Sequence, residues 1–153
     1  MLSQTAEYAL RAVAYLAEND GKSCTIQQIA GPTQVPAGYL AKVLQELARA
    51  GILASQRGIG GGFSLAIPAD ELTIYQIVQT VDPIRRITHC PLNKPDHANE
   101  LCRLHQRLDD AAALIEESFR NSTVADLVDK PIFASSEGAS MVAAEPDTAG
   151  NGG

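Results

Sequence analysis

The sequence predicts a mainly α fold, in which a winged helix-turn-helix domain is followed by a loop and a long C-terminal helix. Three observations predict it. Apolar residues recur at helical spacing in three early segments, two short apolar runs then flank a glycine-rich tip, and a long amphipathic segment follows a proline-containing stretch. Three helices and a hairpin in this order are typical of a winged helix-turn-helix domain.

Two helices open the chain. The first is predicted over residues 3–19, where apolar side chains recur at helical spacing. A short second helix is predicted to begin at Thr25, whose hydroxyl can cap the helix while Gln28 completes a capping box. Gly31 and Pro32 are expected to end this helix, because proline interrupts the hydrogen bonds of a helix interior.

The third helix and the hairpin follow. The helix is predicted from Pro36 to about Ala50, and its apolar stripe consists of Leu40, Val43, Leu44 and Leu47. Two strands, at residues 52–54 and 63–66, are predicted to flank the glycine-rich tip at residues 57–62. The tip lacks the Gly-Lys-Ser/Thr ending of a P-loop and the strand-to-helix context of a dinucleotide loop, which favours a wing.

The second half of the chain is predicted to hold three further helices. Thr73 can cap one that ends at Asp82. The next stretch has three prolines and no periodicity, so a loop is predicted before a helix at residues 100–120 and a short one at 122–128. The long helix has one apolar face, formed by Leu101, Leu104, Leu108, Ala111, Ala112, Ile115 and Phe119.

These elements predict four regions. They are a winged helix-turn-helix DNA-binding domain at 1–82, a cluster-binding loop at 83–99, a dimerisation helix with a short terminal helix at 100–130, and a disordered tail at 131–153. The small helices before the loop offer the long helix little apolar surface. We therefore expect its apolar face to pair with the same helix of a second chain in a two-fold homodimer, rather than to pack wholly within the monomer.

Composition limits the class of protein. The chain has 153 residues, 45% of them hydrophobic and 20% charged, an ordinary globular balance. No apolar run approaches the roughly 20 residues that span a bilayer, and no signal peptide is visible, so we expect a cytoplasmic protein without membrane association. Three cysteines, an odd number, argue against a disulfide framework and leave metal ligation or redox chemistry open.

The net charge of -6 would ordinarily argue against nucleic-acid binding, but the charge is unevenly distributed. Residues 1–66 carry five basic and four acidic side chains, whereas residues 67–133 carry seven basic and eleven acidic ones. The last twenty residues add three acidic side chains and no basic ones. Because the acidity lies outside the predicted helix-turn-helix, a DNA-binding role for that part remains open.

The polar face of the third helix carries candidate DNA contacts. A recognition helix presents its N-terminal turns to the major groove, where hydroxyl and ammonium groups reach phosphates, amides read base edges and glycine allows close approach. In the wing, Arg57 could enter a minor groove while glycine amides such as that of Gly60 contact phosphate. A solvated polar face would explain any one of these residues alone. The candidates on the helix are Gly38, Tyr39, Lys42 and Gln45.

A candidate metal site lies at and after the loop. Cys90 and Cys102 enclose His97, and His105 follows Cys102 by three residues. A Cys-x-x-His pair at the start of a helix places both side chains on neighbouring surface, which suits a shared metal. Two thiolates and one imidazole fit zinc or an iron–sulfur cluster. Two buried thiols and a surface histidine are the alternative, and His89 ranks below His105 because adjacent residues project in different directions.

Five segments of the chain carry a family resemblance. They are AEYALRAVAYLA, PAGYLAKVLQELARAGIL, RGIGGGFSL, DELTIYQIVQTVD and HCPLNKPDHANELCRLH. In this order the sequence resembles the Rrf2-type winged helix-turn-helix transcription regulators, the family of IscR and NsrR, over about residues 1–130. The resemblance implies a dimeric regulator, not an enzyme, whose affinity for double-stranded DNA depends on an iron–sulfur cluster that senses redox state, nitric oxide or cluster supply. A repressor is the simpler expectation.

The resemblance also implies a ligand set. Cys90 and Cys102 match the first and third loop cysteines of the family, and His105 matches a histidine of the IscR-like branch, but the middle cysteine is absent here. Glu7 stands where some nitric-oxide-sensing relatives place an acidic ligand contributed across the dimer. With two thiolates, mixed ligation favours a 2Fe–2S cluster. His97 is the main rival to Glu7 or His105.

The resemblance bears on operator recognition as well. Tyr39 matches a recognition-helix tyrosine, whereas Ala41 replaces the glutamate with which the IscR-like branch discriminates two operator types.

Three other interpretations of the function are kept open. They are an enzyme that uses a cysteine and a histidine, a zinc-bound protein-interaction module, and a cluster-free regulator. No oxyanion-hole motif or carboxylate dyad supports the first of them.

Overall fold

A computed structural model describes residues 2–133, and their elements follow the predicted order. Helices α1 (Gln4–Glu18), α2 (Ile26–Thr33) and α3 (Ala37–Arg49) precede strands β1 (Leu53–Gln56) and β2 (Gly62–Leu65). Helix α4 (Ile74–Val81), a 3-10 turn (Pro95–His97), and helices α5 (Arg103–Arg120) and α6 (Val124–Leu127) complete the described part. The predicted mainly α fold with a small two-stranded wing is confirmed.

Side-chain caps explain where four of the helices begin. The Ser3 hydroxyl accepts the Ala6 N–H at 3.1 Å and starts α1. Three threonines start α2, α4 and α6 with complete capping boxes, in which the hydroxyl and the side chain three residues later each accept a backbone N–H. Each such cap stabilises its helix by about 1 kcal/mol. The capping boxes predicted at Thr25 and Thr73 are confirmed.

Helix α2 runs past its predicted end. It continues through Gly31 and Pro32 to Thr33, and Gln34 ends it in the left-handed region with φ 56°. Pro32 has no N–H to donate to the preceding turn, while one residue later the Thr33 hydroxyl donates to the Ile29 carbonyl at 2.6 Å. The prediction that Gly31 and Pro32 stop the helix was therefore wrong, since the helix ends one residue beyond Pro32.

The core lies between α1 and the helix-turn-helix. Alanines on α1, including Ala9 and Ala12, are fully buried and let α2 and α3 approach closely. The predicted stripe of α3 is confirmed, since each member is at most 2% exposed; its members are Leu40, Val43, Leu44 and Leu47. This packing leaves the opposite face of α3 in solvent.

The wing is tied to the start of α2. Strands β1 and β2 pair antiparallel with Ser55 opposite Phe63. Phe63 also exchanges two backbone hydrogen bonds with Cys24, at 2.8 and 2.9 Å, one residue before the Thr25 cap. Gly62 has φ 144°, and a Cβ added there would lie 2.4 Å from the Cys24 carbonyl oxygen. The hairpin is thus fixed against the helix-turn-helix by a contact that requires glycine.

The short terminal helix α6 returns to this core. Its N–H groups at Val124 and Ala125 donate to the carbonyls of Leu72 and Ala69 at 2.8 and 2.9 Å, and Val124 is fully buried. Beyond it, the Phe133 N–H donates to the Glu18 carboxylate at 3.0 Å. Residues 131–133 therefore lie against α1, so the predicted disordered tail does not begin at 131, and its remainder, 134–153, lies outside the described residues.

Helix α5 begins at Arg103 rather than at residue 100, with Cys102 as its N-cap. Its predicted apolar face is divided between two uses. Ala112, Ile115 and Phe119 are half-buried and line an apolar groove of about 460 Å³ together with α4 and the residues after it. Leu104 and Leu108 of that face are exposed instead, at 61% and 51%, and Leu114, outside the predicted face, is 68% exposed. No helix within residues 2–133 is long and apolar enough to cross a membrane.

Candidate metal centre and nucleic-acid interface

The loop and the start of α5 bring three metal-binding side chains together. Cys102 Sγ lies 3.1 Å and Cys90 Sγ 3.6 Å from His105 Nδ1. The ligand atoms of these three residues all lie within 4.8 Å of one another. Within residues 2–133, this is the one group of three or more His, Cys, Asp and Glu side chains that is placed to share a metal ion. Cys102 occupies the N-cap position of α5 and His105 lies in the first turn, as the Cys-x-x-His spacing predicts.

The two other histidines lie differently around this group. His97, at the end of the 3-10 turn, places Nδ1 3.4 Å from Cys90 Sγ, but it is not within the compact three-residue group. His89 is exposed and its Nδ1 pairs with the Thr88 hydroxyl at 2.9 Å. The exposed position of His89 agrees with the expectation that it is a weaker candidate ligand than His105. His97 lies next to Cys90 and is still the main rival ligand.

The surroundings of Cys90 favour the thiolate form of its side chain. It is 7% exposed, and the backbone N–H of Leu92 lowers the pKa of its thiol against the opposing effect of burial. Hydrogen bonds from Cys102 and the positive charge of Lys94 lower the pKa of Cys90 further. Because the thiolate is the form that binds metals, this environment favours ligation.

The environment of Cys24 differs from that of Cys90. It lies buried beneath the wing, where burial raises the pKa of its thiol, so it stays protonated and packs as a small apolar side chain. None of the three cysteines, all of which lie in the described range, is in a disulfide.

The donor set fits a metal centre. Two thiols and an imidazole are the ligands that zinc and iron–sulfur clusters take, and one of the thiols is shielded from solvent. Three donors from this chain leave a fourth position to be filled. Cys90, Cys102 and His105 would hold the metal, and either His97 or a group from outside this chain would complete the set.

Glu7 is not part of this group within one chain. It lies exposed on α1, where Arg11 pairs with its carboxylate, the Arg11 Nε donating at 3.1 Å. The same arginine donates to the Thr33 carbonyl at 3.3 Å. Glu7 therefore lies beside the helix-turn-helix, so only contribution from a second chain, as the resemblance implies, would bring it to the metal centre.

The sequence did not reveal an ion pair that fastens the loop to α5. Arg86 Nε and one of its terminal nitrogens donate to the two Asp109 carboxylate oxygens at 2.7 Å each, and the Ile87 N–H donates to the same carboxylate at 2.8 Å. Asp109 is 8% exposed, and these donors, Arg86 first, lower the pKa of its carboxyl to about 2. A signal was present, since Asp109 follows Cys102 by seven residues and so shares its helix face.

The predicted DNA contacts on α3 lie in solvent. The helix packs through its apolar stripe, so its other side is free to approach a groove. Tyr39 is 38% exposed, and its hydroxyl is hydrogen-bonded to the Thr5 hydroxyl while its ring meets the Tyr8 ring edge-on at 5.3 Å. This link to α1 was not foreseen. The exposed candidates are Gly38, Tyr39, Lys42 and Gln45.

The predicted wing contacts are exposed as well. Arg57 and Gly60 lie in the tip, where Gly58 and Gly60 adopt φ 92° and 73° and the Gly61 N–H closes a turn onto Gly58 at 3.0 Å. Ile59 projects fully into solvent between them. The tip and the N-terminal turns of α3 thus offer exposed backbone amides and basic groups, which suit a phosphate backbone.

Comparison with known proteins identifies the chain's relatives. A family model described as Rrf2, iron-dependent transcriptional regulator, matches residues 2–130. An HTH-type transcriptional regulator of Aquifex aeolicus (strain VF5) is 33% identical over 131 residues, which cover 84% of this chain and 91% of that protein.

Solved structures show the same fold. CymR (YrzC), described as the global cysteine regulator of B. subtilis, superposes with a TM-score of 0.70 at 21% identity, covering 84% of this chain and 96% of its own. The IscR of T. potens gives 0.69 at 21% identity, covering 84% and 86%. CymR of Staphylococcus aureus gives 0.65 at 24% identity, covering 82% and 95%. At these identities the superpositions establish the winged fold, and the family model and the Aquifex relative establish the class of protein.

Proposed function

Because the chain belongs to the Rrf2 family of transcriptional regulators, we propose that it is a dimeric cytoplasmic repressor whose DNA affinity is set by a metal centre at Cys90, Cys102 and His105. The family consists of DNA-binding regulators and not of enzymes. The observation that carries the proposal is the convergence of two thiols and an imidazole within 4.8 Å, at the start of the long helix.

A 2Fe–2S cluster is the metal centre that we propose. Mixed thiolate, imidazole and carboxylate ligation suits such a cluster and raises its potential, as histidine ligation does in Rieske centres. Cys90, Cys102 and His105 would bind it from one chain, and Glu7 of the second chain would complete the set. When bound, the cluster would supply a redox-sensitive group. The residues of this chain would hold it, shield its Cys90 side from water and tie its presence to the position of the loop.

DNA binding is assigned to the exposed faces of α3 and the wing. Gly38, Tyr39, Lys42 and Gln45 are proposed to lie in a major groove. Arg57 and the Gly60 amide are proposed to contact the neighbouring minor groove and its phosphates. Charge supports this division, since the N-terminal 66 residues carry five basic against four acidic side chains while the remainder is acidic.

The exposed side of α5 is proposed as the homodimer interface. Leu104, Leu108 and Leu114 are more than half exposed, although Ile115 and Phe119 of the same helix are half-buried beside α4. Packing these leucines against a second copy would bury apolar surface that one chain leaves in water. It would also bring the metal-binding start of α5 close to the other chain, from which Glu7 must come.

The proposed coupling passes through α1. Glu7 lies one residue before Tyr8 and two residues after Thr5, and both of these contact Tyr39 at the start of the recognition helix. Binding or releasing Glu7 at the partner's metal centre would therefore act on the helix that carries Tyr39. Two recognition helices must match a spacing of about 34–36 Å between major grooves, so a small reorientation changes affinity. The signal sensed could be redox state, nitric oxide or cluster supply.

A regulator that binds a single zinc ion and no cluster is a second candidate, favoured by the compactness of the donor set. All three donors lie within 4.8 Å, a separation that one tetrahedral ion also accommodates. Purification under anaerobic conditions distinguishes the two. A reddish-brown protein with iron and acid-labile sulfide in equal amounts supports the cluster, whereas a colourless protein with one zinc ion per chain supports the second candidate and overturns the first.

A further inference from the structure

One face of α5 carries more than the metal-binding side chains. Cys102, His105, Asp109 and Glu116 follow one another at spacings of three, four and seven residues, which places them along one stripe of the helix. The first two members belong to the proposed metal centre. The last two receive Arg86, whose terminal nitrogens lie 2.7 Å from an Asp109 oxygen and 3.6 Å from a Glu116 oxygen. The same stripe therefore binds both the proposed metal and the loop.

The contact at Asp109 restrains the loop at two adjacent points. Arg86 forms two parallel hydrogen bonds with the carboxylate, and the Ile87 N–H occupies the oxygen that Arg86 Nε also approaches. A charge-assisted bidentate pair is among the strongest hydrogen-bonded contacts that side chains make. The carboxylate is shielded from solvent, so water competes with these bonds only weakly. We call this contact the Asp109 clamp, consisting of Arg86, Ile87 and Asp109.

The clamp lies close enough to Cys90 to decide where that thiol can reach. Cys90 follows Ile87 by three residues, which span at most about 11 Å. Once residues 86 and 87 are released from α5, the nearest hydrogen-bonded point upstream is Ile84, whose N–H donates to the Gln79 side chain at 3.3 Å, six residues before Cys90. Doubling this tether enlarges the volume open to the thiol about three- to eightfold.

We propose that Asp109 is a positioning residue of the metal centre, which holds Cys90 within reach of Cys102 and His105 by clamping residues 86 and 87 to the stripe that carries them. The inference rests on the proposed metal site. It assigns Asp109 no contact with the metal. In this proposal, the position of Cys90 is set by the Arg86–Asp109 ion pair, about one helix turn from His105, rather than by contacts within the loop itself.

Titration of the metal-free, reduced full-length chain with Co²⁺ tests the clamp without any DNA. Co²⁺ takes ligands like those of zinc, and its thiolate charge-transfer absorption reports how many cysteines bind. We expect Asp109→Ala to weaken Co²⁺ binding about three- to eightfold and to lower the charge-transfer intensity per bound ion toward that of Cys90→Ala. Asp109→Asn, which retains an acceptor for Ile87, should fall between Asp109→Ala and the wild type.

Arg120→Gln is the matched control. Arg120 pairs with Glu116 at 2.8 Å and stacks on Tyr75, so its loss disturbs α5 and the shared Glu116 while the hydrogen bonds of residues 86 and 87 to Asp109 stay in place. Equal Co²⁺ affinity and intensity in wild type and folded Asp109→Ala would overturn the clamp, as would an equal loss in Arg120→Gln. If Asp109→Ala fails to fold, Arg86→Met decides in its place, since Arg86 is 41% exposed and its replacement leaves the core intact. Failure of the wild-type chain to bind Co²⁺ would instead overturn the metal site, and the clamp's role with it.

Discussion

Among single residues, Cys90 depends most on its surroundings. Its thiol has a lowered pKa because the Leu92 N–H points at it, and its position is limited by the Asp109 clamp. The positions of Cys102 and His105 depend on fewer contacts, because helix α5 alone sets the spacing between these two residues. The donor set thus combines two residues placed by local helical geometry with one placed by long-range contacts, and these two groups should respond differently to mutation.

Alanine variants at the five candidate ligands test the assignment. Cys90→Ala and Cys102→Ala should lose the cluster, because a thiolate has no substitute in the site, while Glu7→Ala and His105→Ala should lower iron content or shift the visible spectrum. Iron, acid-labile sulfide and absorption are measured after anaerobic purification. Bleaching by His97→Ala, together with an unchanged Glu7→Ala, would show that the fourth ligand comes from the same chain and would remove the proposed link across the dimer.

Asp109 predicts a specific pH dependence of stability. Its carboxyl has a pKa of about 2 in the folded chain against an ordinary value of 3.8, so the clamp contributes its full stability above about pH 4 and loses it as pH falls toward 2. The facing charges are Arg86, Glu116 and Arg120. The difference in unfolding free energy between wild type and Asp109→Asn should be constant from pH 7 to 5 and shrink below pH 4. A difference that grows on acidification would contradict this sign.

Lys42 and Arg57 are expected to contact DNA phosphates or a groove. Replacing either by alanine should weaken binding and reduce the slope of log affinity against log salt by about one unit for each phosphate that the variant no longer neutralises. Fluorescence anisotropy on a DNA fragment selected from a random pool measures both quantities. Arg107, exposed on α5, a helix that carries no proposed DNA contact, provides the control substitution. Unchanged binding by a folded Lys42→Ala, Arg57→Ala double variant would remove the wing-and-helix interface.

Among the elements, the wing shows how much of the fold rests on backbone contacts. Phe63 and Cys24 pair through their main chains, and Gly62 allows that approach because it has no Cβ. Helix α5 is the opposite case. Its side chains serve three different surfaces, namely the groove beside α4, the exposed leucines and the stripe of Cys102, His105 and Asp109. The sequence can therefore predict a helix correctly without predicting which residues pack against each of its faces.

Gly62→Ala should separate the wing from the helix-turn-helix. The new Cβ would meet the Cys24 carbonyl at 2.4 Å, and φ 144° is unfavourable for alanine, so we expect a loss of about 1–3 kcal/mol in unfolding free energy. Gly38→Ala is the control. That residue is helical in α3 with nothing within 4 Å of an added Cβ, so its replacement should stabilise the protein by about 0.5–1 kcal/mol. Urea unfolding measures both, and an unchanged Gly62→Ala would show that the wing is not held there.

Local patterns predicted most of these elements, and long-range contacts account for what was missed. The capping box at Thr25, the stripe of α3 and the pairing of Cys102 with His105 all depend on residues within one or two turns of each other. The Asp109 clamp joins residues more than twenty positions apart, and only the folded loop brings them together. The helical spacing places Asp109 on the same helix face as His105, but it does not reveal that Arg86 is the partner of Asp109.

At the scale of the whole molecule, the proposed metal centre and the proposed DNA-binding surface lie on different elements of one chain. The donors are at the loop and the start of α5, whereas the candidate DNA contacts are on α3 and the wing. In our account α1 connects them, since it carries Glu7 and contacts Tyr39 through Thr5 and Tyr8. The homodimer is required by this account, because Glu7 pairs with Arg11 of its own chain rather than joining its own Cys90.

The most direct test of this account is the DNA affinity of one preparation before and after its metal is removed. Full-length protein purified anaerobically is divided, one half is treated with a chelator, and both are titrated onto the same selected DNA fragment at one salt concentration. We predict that affinity changes at least tenfold, about 1.4 kcal/mol, and that Cys102→Ala binds like the chelated half. Equal affinity of iron-loaded and iron-free protein, with the iron content measured in each, would contradict the claim that this regulator's DNA affinity is set by its metal centre.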